Sequence, residues 1–263
     1  MKTCSINTNL LPQQYRAGAR ALLARVLLNY PRTVALVVIG SVTDGTWKPD
    51  SDLDVVWIHH GKRRRHWYEN VDYDFDGPIE LVLFDLKRVR DHFRQQSPMA
   101  HALQSCLVLY DPKGLHADWV KTPLGLPTCD WINDTYAFML RRLEWGIGSY
   151  RQECGFHRRF CGASKKCHCA VTDVLCRAVW NLVRLIFVVQ GHVPMSKVHG
   201  RQLFQDITRG VRLRRALDIT LQVHHEKRYC RIEEAREMVY LGQWARSQLH
   251  KSLGDPRSAS RGH

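Results

Sequence analysis

Two aspartates lie one residue apart in the stretch DSDLDVVWI, residues 50–58. In an extended strand, residues i and i+2 point to the same face, so Asp52 and Asp54 project together while Leu53 faces the opposite side. Two carboxylates this close raise each other's pKa unless a cation neutralises them. Such hard oxygen ligands suit Mg²⁺, which binds one or two carboxylates together with substrate phosphates. The pair therefore predicts a site for Mg²⁺ and a nucleotide.

A Gly-Ser dipeptide, Gly40-Ser41, closes the preceding hydrophobic run, with ten residues between it and Asp52. Glycine lets the backbone of a tight turn approach a phosphate closely, and a neighbouring hydroxyl donates hydrogen bonds to phosphate oxygens. We therefore expect Gly40 and Ser41 to hold a triphosphate.

A third acid, Glu80, stands near the start of the hydrophobic run IELVLFDL, residues 79–86. If that run is a strand beside the one that carries Asp54, Glu80 faces the same site. Metal-assisted phosphoryl transfer requires such a set, because metal ions clamp the triphosphate while a carboxylate takes the proton of the attacking hydroxyl. Asp85 and the acids of DYDFD, residues 72–76, are alternatives for the third position.

The spacing of apolar residues predicts the elements that position these acids. In the first half it predicts a helix over 13–30, strands over 33–40, 52–58, 79–86 and 107–111, and a helix over 87–96. Prolines and glycines make 112–128 the predicted linker. Beyond it, apolar residues recur every three or four positions over 135–150, 170–191, 195–207 and 232–253. That second half is predicted to be a helical bundle.

The pattern of Gly-Ser, ten residues, Asp-x-Asp and an acid in a later strand resembles the nucleotidyltransferase superfamily that includes DNA polymerase β. Within it, GSVTDGTWKPDSDLDVVW is most similar to the antibiotic adenylyltransferases that modify streptomycin and spectinomycin. The segment RLIFVVQGHVPMSK, residues 184–197, resembles the family's Arg…Gly…Pro…Lys segment, whose basic residues contact ATP phosphates. The resemblance implies that ATP is the donor and that Arg184 and Lys197 contact it.

The resemblance and the element pattern together predict an α+β fold with two domains. A small mixed-sheet nucleotidyltransferase catalytic domain is expected over 1–125, an all-α domain that binds substrate and nucleotide over 126–254, and a disordered tail over 255–263. Asp52 and Asp54 would bind Mg²⁺, and Glu80 would act as general base or complete the metal site. The product would be a nucleotidylated hydroxyl plus pyrophosphate.

Charge is unevenly distributed and bears on the acceptor. Residues 1–130 hold 16 Lys and Arg against 14 Asp and Glu, which gives +2, and residues 131–263 hold 23 against 11, which gives +12. Such a field favours polyanions, although a solvated helical surface gives the same excess.

Several acceptors stay open. A small cationic antibiotic such as an aminoglycoside, which would imply antibiotic resistance, would use an acidic pocket that the loop acids Asp72, Asp74 and Asp76 would line. RNA such as a tRNA end fits the basic second half, and a protein is the acceptor in related toxin–antitoxin enzymes. A non-catalytic regulator that binds nucleotide or nucleic acid is a further hypothesis, which the intact set of three acids disfavours.

No stretch approaches the length of a membrane span, and the N-terminus lacks the pattern of a signal peptide. Nine cysteines without a regular framework fit a reducing compartment, so we expect a cytoplasmic protein.

The cluster CGFHRRFCGASKKCHC, residues 154–169, lacks the spacing of a paired C-x₂-C site, so we predict no tightly held zinc. The basic stretch GKRRRHW, residues 61–67, is expected to be a solvated loop.

Overall fold

The computed structural model describes residues 7–49, 51–61, 79–160, 170–194, 196–226 and 230–254, without the side chains of 149–160 and 170–173. The chain divides into two compact units, Met1–Gly125 and Leu126–His263. The first combines a sheet with helices, and the second is helical in its described part. The predicted α+β class is confirmed.

The first unit contains a four-stranded mixed sheet. Its elements in chain order are α1 (Gln13–Asn29), β1 (Thr33–Ile39), β2 (Leu53–His59), β3 (Ile79–Asp85), α2 (Leu86–Arg94), α3 (Pro98–Gln104), β4 (Leu107–Tyr110) and α4 (Leu115–Lys121). The strand order is β3-β2-β1-β4. Strand β1 is antiparallel to β2 and β4, whereas β2 and β3 are parallel neighbours. The strand that carries Glu80 therefore lies beside the strand that carries Asp54.

Alternate strand residues fill two separate cores, as the two-residue period requires. On one face the strands pack against α1, and the buried residues there include Leu22, Leu23, Val26, Leu36, Val38, Val55 and Trp57. On the other face they pack against the later helices, and the buried residues include Ala35, Val37, Val56, Ile58, Val89, Leu103 and Trp119. Both faces of the central strands are thus covered.

The predicted linker over 112–128 is wrong in part, because α4 lies inside it. Trp119 of this helix is buried, and the side-chain amide of Gln104 donates to its carbonyl at 2.8 Å. Prolines and glycines flank the helix on both sides, and because this composition is typical of loops, the sequence predicted a linker there.

The second unit is built from helices in its described part. They are α5 (Cys129–Phe160), α6 (Ala170–Val189), α7 (Lys197–Ile207), α8 (Val211–Glu226) and α9 (Ile232–Leu253). Helix α6 is buried on nearly every side from Leu175 to Val188, as expected for a helix that is apolar all round. Gly242 of α9 lies against Leu143 and Val179, which allows close packing of α9 on α5 and α6.

In the first unit the prediction also missed α3 (Pro98–Gln104), and two helices of the second unit differ from the sequence prediction. The prediction missed α8, because arginines and histidines are frequent in its sequence and separate the buried apolar residues Leu213, Ala216, Leu217, Leu221 and Val223. Helix α5 extends beyond the predicted 135–150 at both ends. No helix in the described ranges combines the length and apolar character needed to cross a membrane.

Candidate active site

Three neighbouring strands bring Ile39, Asp54 and Glu80 side by side. The register pairs Ile39 with Asp54 across β1 and β2, and Asp54 with Glu80 across β2 and β3. Paired residues on adjacent strands point to the same face, and the strands lie about 4.8 Å apart. Asp54 and Glu80 are both partly buried. The sheet therefore holds two carboxylates next to each other at one end of the face that α2 and α3 cover.

Asp52 directly precedes β2 and is also partly buried. Three hydrogen bonds hold its neighbour Ser51 in place. The Ser51 amide donates to the Lys48 carbonyl at 2.9 Å, and the Ser51 hydroxyl accepts from the Lys48 amide at 2.8 Å. The Tyr15 hydroxyl of α1 donates to the Ser51 carbonyl at 2.7 Å. These bonds fix the chain immediately before Asp52.

The turn after β1 requires glycine at position 40 for two reasons. Its φ is 81°, a conformation that side chains rarely adopt. A Cβ added there would also overlap a carboxylate oxygen of Asp54. Thr43 closes the turn, because both its amide and its hydroxyl donate to the Gly40 carbonyl, at 3.0 and 2.7 Å. The Gly40 backbone thus lies directly against the Asp54 carboxylate.

Sequence reasoning missed Tyr15. Its ring is 2% exposed and stands edge-on to Trp47 in the loop, with 6.1 Å between the ring centroids. In the sequence it is one more aromatic residue on an amphipathic helix, and nothing marks its contact with residue 51. Together with Gln14, whose side-chain amide donates to the Pro49 carbonyl at 3.2 Å, Tyr15 joins α1 to the loop before Asp52.

Of the alternatives for the third acid, Asp85 is excluded by its position. It lies at the far end of β3 from Glu80, about 16 Å along the strand, and its side chain caps α2 by accepting from the Arg88 amide at 2.7 Å. The acids of residues 72–76 lie outside the described residues, as do the basic stretch 62–67 and residues 161–169 of the Cys/His cluster.

The acids fit a metal ion that binds together with substrate. Among the described residues, no group of three or more His, Cys, Asp or Glu side chains is placed to hold a metal ion. Mg²⁺ does not require such a cage, because it binds through one or two carboxylates and takes its other ligands from water and phosphates. Neighbouring carboxylates such as Asp54 and Glu80 therefore suit Mg²⁺ that binds together with a nucleotide.

The two predicted basic residues lie in the second unit. Lys197 is the exposed first residue of α7. One turn further on, Gly200 lies so close to Trp180 of α6 that a Cβ would overlap the indole ring. Arg184 follows Trp180 by one turn and faces the same side of α6. The start of α7 thus packs beside the turn of α6 that carries Arg184.

Arg184 is partly buried in the helical unit, and burial lowers the pKa of its guanidinium below the ordinary value. No hydrogen bond or ion pair joins the Arg184 guanidinium to another residue in the part of the chain that the structure describes. A charged group in this setting is destabilising unless an anion compensates it.

Residues 20–103 match the family model of the nucleotidyltransferase domain. No curated protein matches the sequence. Among solved structures, spectinomycin adenyltransferase AAD(9) from Enterococcus faecialis, in complex with ATP and spectinomycin, aligns with a TM-score of 0.52 and 10% identity, covering 89% of this chain and 97% of that one.

A nucleotidyltransferase-like protein from Exiguobacterium sibiricum aligns with a TM-score of 0.38 and 11% identity, covering 94% of this chain and 80% of that one. The AAD(9) likeness concerns the fold, and it extends over both units. The family match includes the Gly40 turn, both aspartates and Glu80. Over residues 20–103 this chain is therefore similar to the nucleotidyltransferase domain family.

Proposed function

We propose that this protein transfers AMP from ATP to a hydroxyl group of a small-molecule acceptor of the aminoglycoside kind. The observation that carries the proposal is the pairing of Asp54 with Glu80 on parallel strands, with the Gly40 turn against the Asp54 carboxylate. The AAD(9) fold likeness, from an enzyme whose structure contains ATP and spectinomycin, supports the choice of donor and acceptor.

In this proposal each residue has a defined task. Gly40 and Ser41 hold the triphosphate, and Asp52 and Asp54 hold Mg²⁺, which neutralises phosphate charge when bound. Glu80 takes the proton of the acceptor hydroxyl, whose oxygen forms a bond to the α-phosphorus while the bond from that phosphorus to pyrophosphate breaks. Arg184 and Lys197 bind phosphate oxygens, and the lack of an acidic partner for Arg184 in the described residues supports that role.

A second acceptor class has its own support. Residues 131–263 carry a net charge of +12, which opposes a cationic antibiotic and favours RNA. The same transfer to the hydroxyl of an RNA end would use the same residues of the sheet unit. A protein acceptor and a non-catalytic nucleotide-binding role are further outcomes of the experiment below.

The test is to incubate the protein with Mg²⁺ and ATP labelled at the α-phosphate in separate reactions with aminoglycosides, tRNA and cell proteins. We expect label in the aminoglycoside pool, with release of pyrophosphate. Asp54→Asn should lose the transfer at least about a thousandfold, whereas Asp118→Asn, an exposed acid on α4, should keep it.

Label in the RNA or protein pool would reassign the acceptor. Absence of label from every pool, with ATP still bound, would support a non-catalytic role.

A further inference from the structure

Helix α5 presents two aromatic rings to solvent on one face. Phe138 is 45% exposed and Trp145 is 51% exposed. They are seven residues apart, so they lie on the same face about 10.5 Å apart along the helix axis. Large aromatic side chains exposed together usually mark a surface that binds a partner.

Two arginines, Arg141 and Arg142, lie within about one helical turn of each ring. The Arg142 guanidinium lies over the Phe138 ring, 5.4 Å from its centroid, and Arg141 is exposed between the two aromatic positions. Gly148, one turn after Trp145, has open space around it. We call Phe138, Arg141, Arg142 and Trp145 the aromatic–arginine strip.

Among the described side chains, no acid forms an ion pair with the aromatic–arginine strip. Asp134 lies on the same face but one turn before Phe138. Glu144 faces Arg246 of α9 at 3.7 Å. Among the described residues, no ion pair joins Arg141 or Arg142 to an acid. The centre of the strip therefore combines flat apolar rings with two arginines that no described acid pairs.

We propose that the aromatic–arginine strip binds single-stranded nucleic acid. Bases of a single strand stack on exposed aromatic rings, and arginines between the rings neutralise the phosphates. Self-association is disfavoured, because each copy of the chain carries a net charge of +14. The strip does not include any residue of the proposed nucleotide site, so this binding stands apart from the transfer reaction.

The test is the fluorescence anisotropy of a labelled twelve-nucleotide single strand, as RNA and as DNA, titrated with the full chain at several salt concentrations. Trp145→Ala and Phe138→Ala should each weaken binding roughly 5- to 100-fold, whereas Trp145→Phe should retain most of the affinity. Arg141→Ala should lower the slope of log affinity against log salt by about 0.7. A duplex of the same sequence, whose base faces are covered, should bind more weakly than the single strand.

Val211→Ala is the matched control, because Val211 is 81% exposed and lies on α8. It should leave the affinity unchanged. The proposal would be overturned if Trp145→Ala bound the single strand as tightly as wild type does. It would also be overturned if Val211→Ala lost as much affinity as Trp145→Ala, or if wild type bound the duplex as tightly as the single strand. So would sedimentation showing that wild type is a dimer that Trp145→Ala dissociates, since the strip would then join two copies of the chain.

Discussion

The sheet unit and the helical unit support their candidate functional residues in different ways. Asp54 and Glu80 occupy paired positions on parallel strands, so the hydrogen bonds of the sheet fix their separation. Arg184 and Lys197 lie on two packed helices, one partly buried and one exposed at a helix start. The sheet thus fixes the positions of the two candidate carboxylates without a ligand, whereas the basic residues would act, in the proposed function, through the anion that they bind.

This contrast predicts that small backbone changes damage the sheet site most. Gly40→Ala places a methyl group where an Asp54 oxygen lies and forces a positive φ on alanine. We expect transfer activity to fall about a hundredfold, measured as label incorporation at saturating ATP. Gly45→Ala is the matched control, because Gly45 also has a positive φ, 75°, but a Cβ there meets nothing. A similar loss in both variants would mean that strain, and not the contact with Asp54, explains the effect.

The helical unit should affect nucleotide affinity. A charge-assisted hydrogen bond contributes about 1.5–3 kcal/mol, so Lys197→Ala should raise the ATP dissociation constant roughly ten- to a hundredfold. Calorimetry with a non-hydrolysable ATP analogue measures this. Lys251→Ala, an exposed lysine near the end of α9, should change nothing. Unchanged affinity in Lys197→Ala would remove that residue from the nucleotide site.

A third prediction concerns the helices that cover the sheet. His92 of α2 packs against Phe84, and its Nδ1 lies 2.9 Å from the Ser97 hydroxyl. Burial, with a smaller contribution from Arg88, lowers the pKa of His92 from 6.5 to about 4, although Asp91 opposes the shift. The unfolded chain therefore binds the proton more readily, and stability falls as pH drops from 6.5 towards 4.

We expect the free energy of unfolding to decrease by about 2 kcal/mol between pH 7 and pH 5 through this residue. Urea titrations at pH 7 and pH 5 give the free energy of unfolding of wild type and of His92→Gln. The contribution of His92 is the difference between the two proteins in how far this free energy falls between the two pH values. The same pH dependence in both proteins would show that His92 does not titrate as described.

The smallest expected effect compares matched tyrosines in the two units. Tyr15 donates to the Ser51 carbonyl, and Tyr136 of α5 donates to the Arg246 carbonyl at 3.2 Å. Either Tyr→Phe change should cost about 1 kcal/mol of stability. Only Tyr15→Phe should also slow transfer, by about three- to tenfold, because it frees the chain before Asp52. Equal rates in the two variants would limit Tyr15 to a structural role.

The sequence predicted the strands that carry Asp54 and Glu80 for a physical reason. The two-residue period of a strand and a glycine turn are local properties. The alternation around Leu53 and the turn at Gly40 could therefore be predicted from the sequence alone. The pairing of Asp54 with Glu80 depended only on β2 and β3 being neighbours, which the structure confirms.

Other features depend on contacts between distant residues. The bond from Tyr15 to Ser51 joins residues 36 apart in sequence, and no local pattern encodes it. Helix α8 has a buried stripe of leucines hidden among arginines. The exposure of Phe138 and Trp145 is also a tertiary property, because an apolar residue on a helix normally indicates a buried face.

The central claim is that the neighbouring carboxylates of the sheet bind a nucleotide through Mg²⁺. The most direct measurement is calorimetric titration of wild type, Asp54→Asn and Asp118→Asn with a non-hydrolysable ATP analogue, each with Mg²⁺ and with EDTA. We expect wild type and Asp118→Asn to bind the analogue at least tenfold more tightly with Mg²⁺ than with EDTA, and Asp54→Asn to show no such difference. Binding that is independent of Mg²⁺, or a Mg²⁺ effect that persists in Asp54→Asn, would contradict the claim.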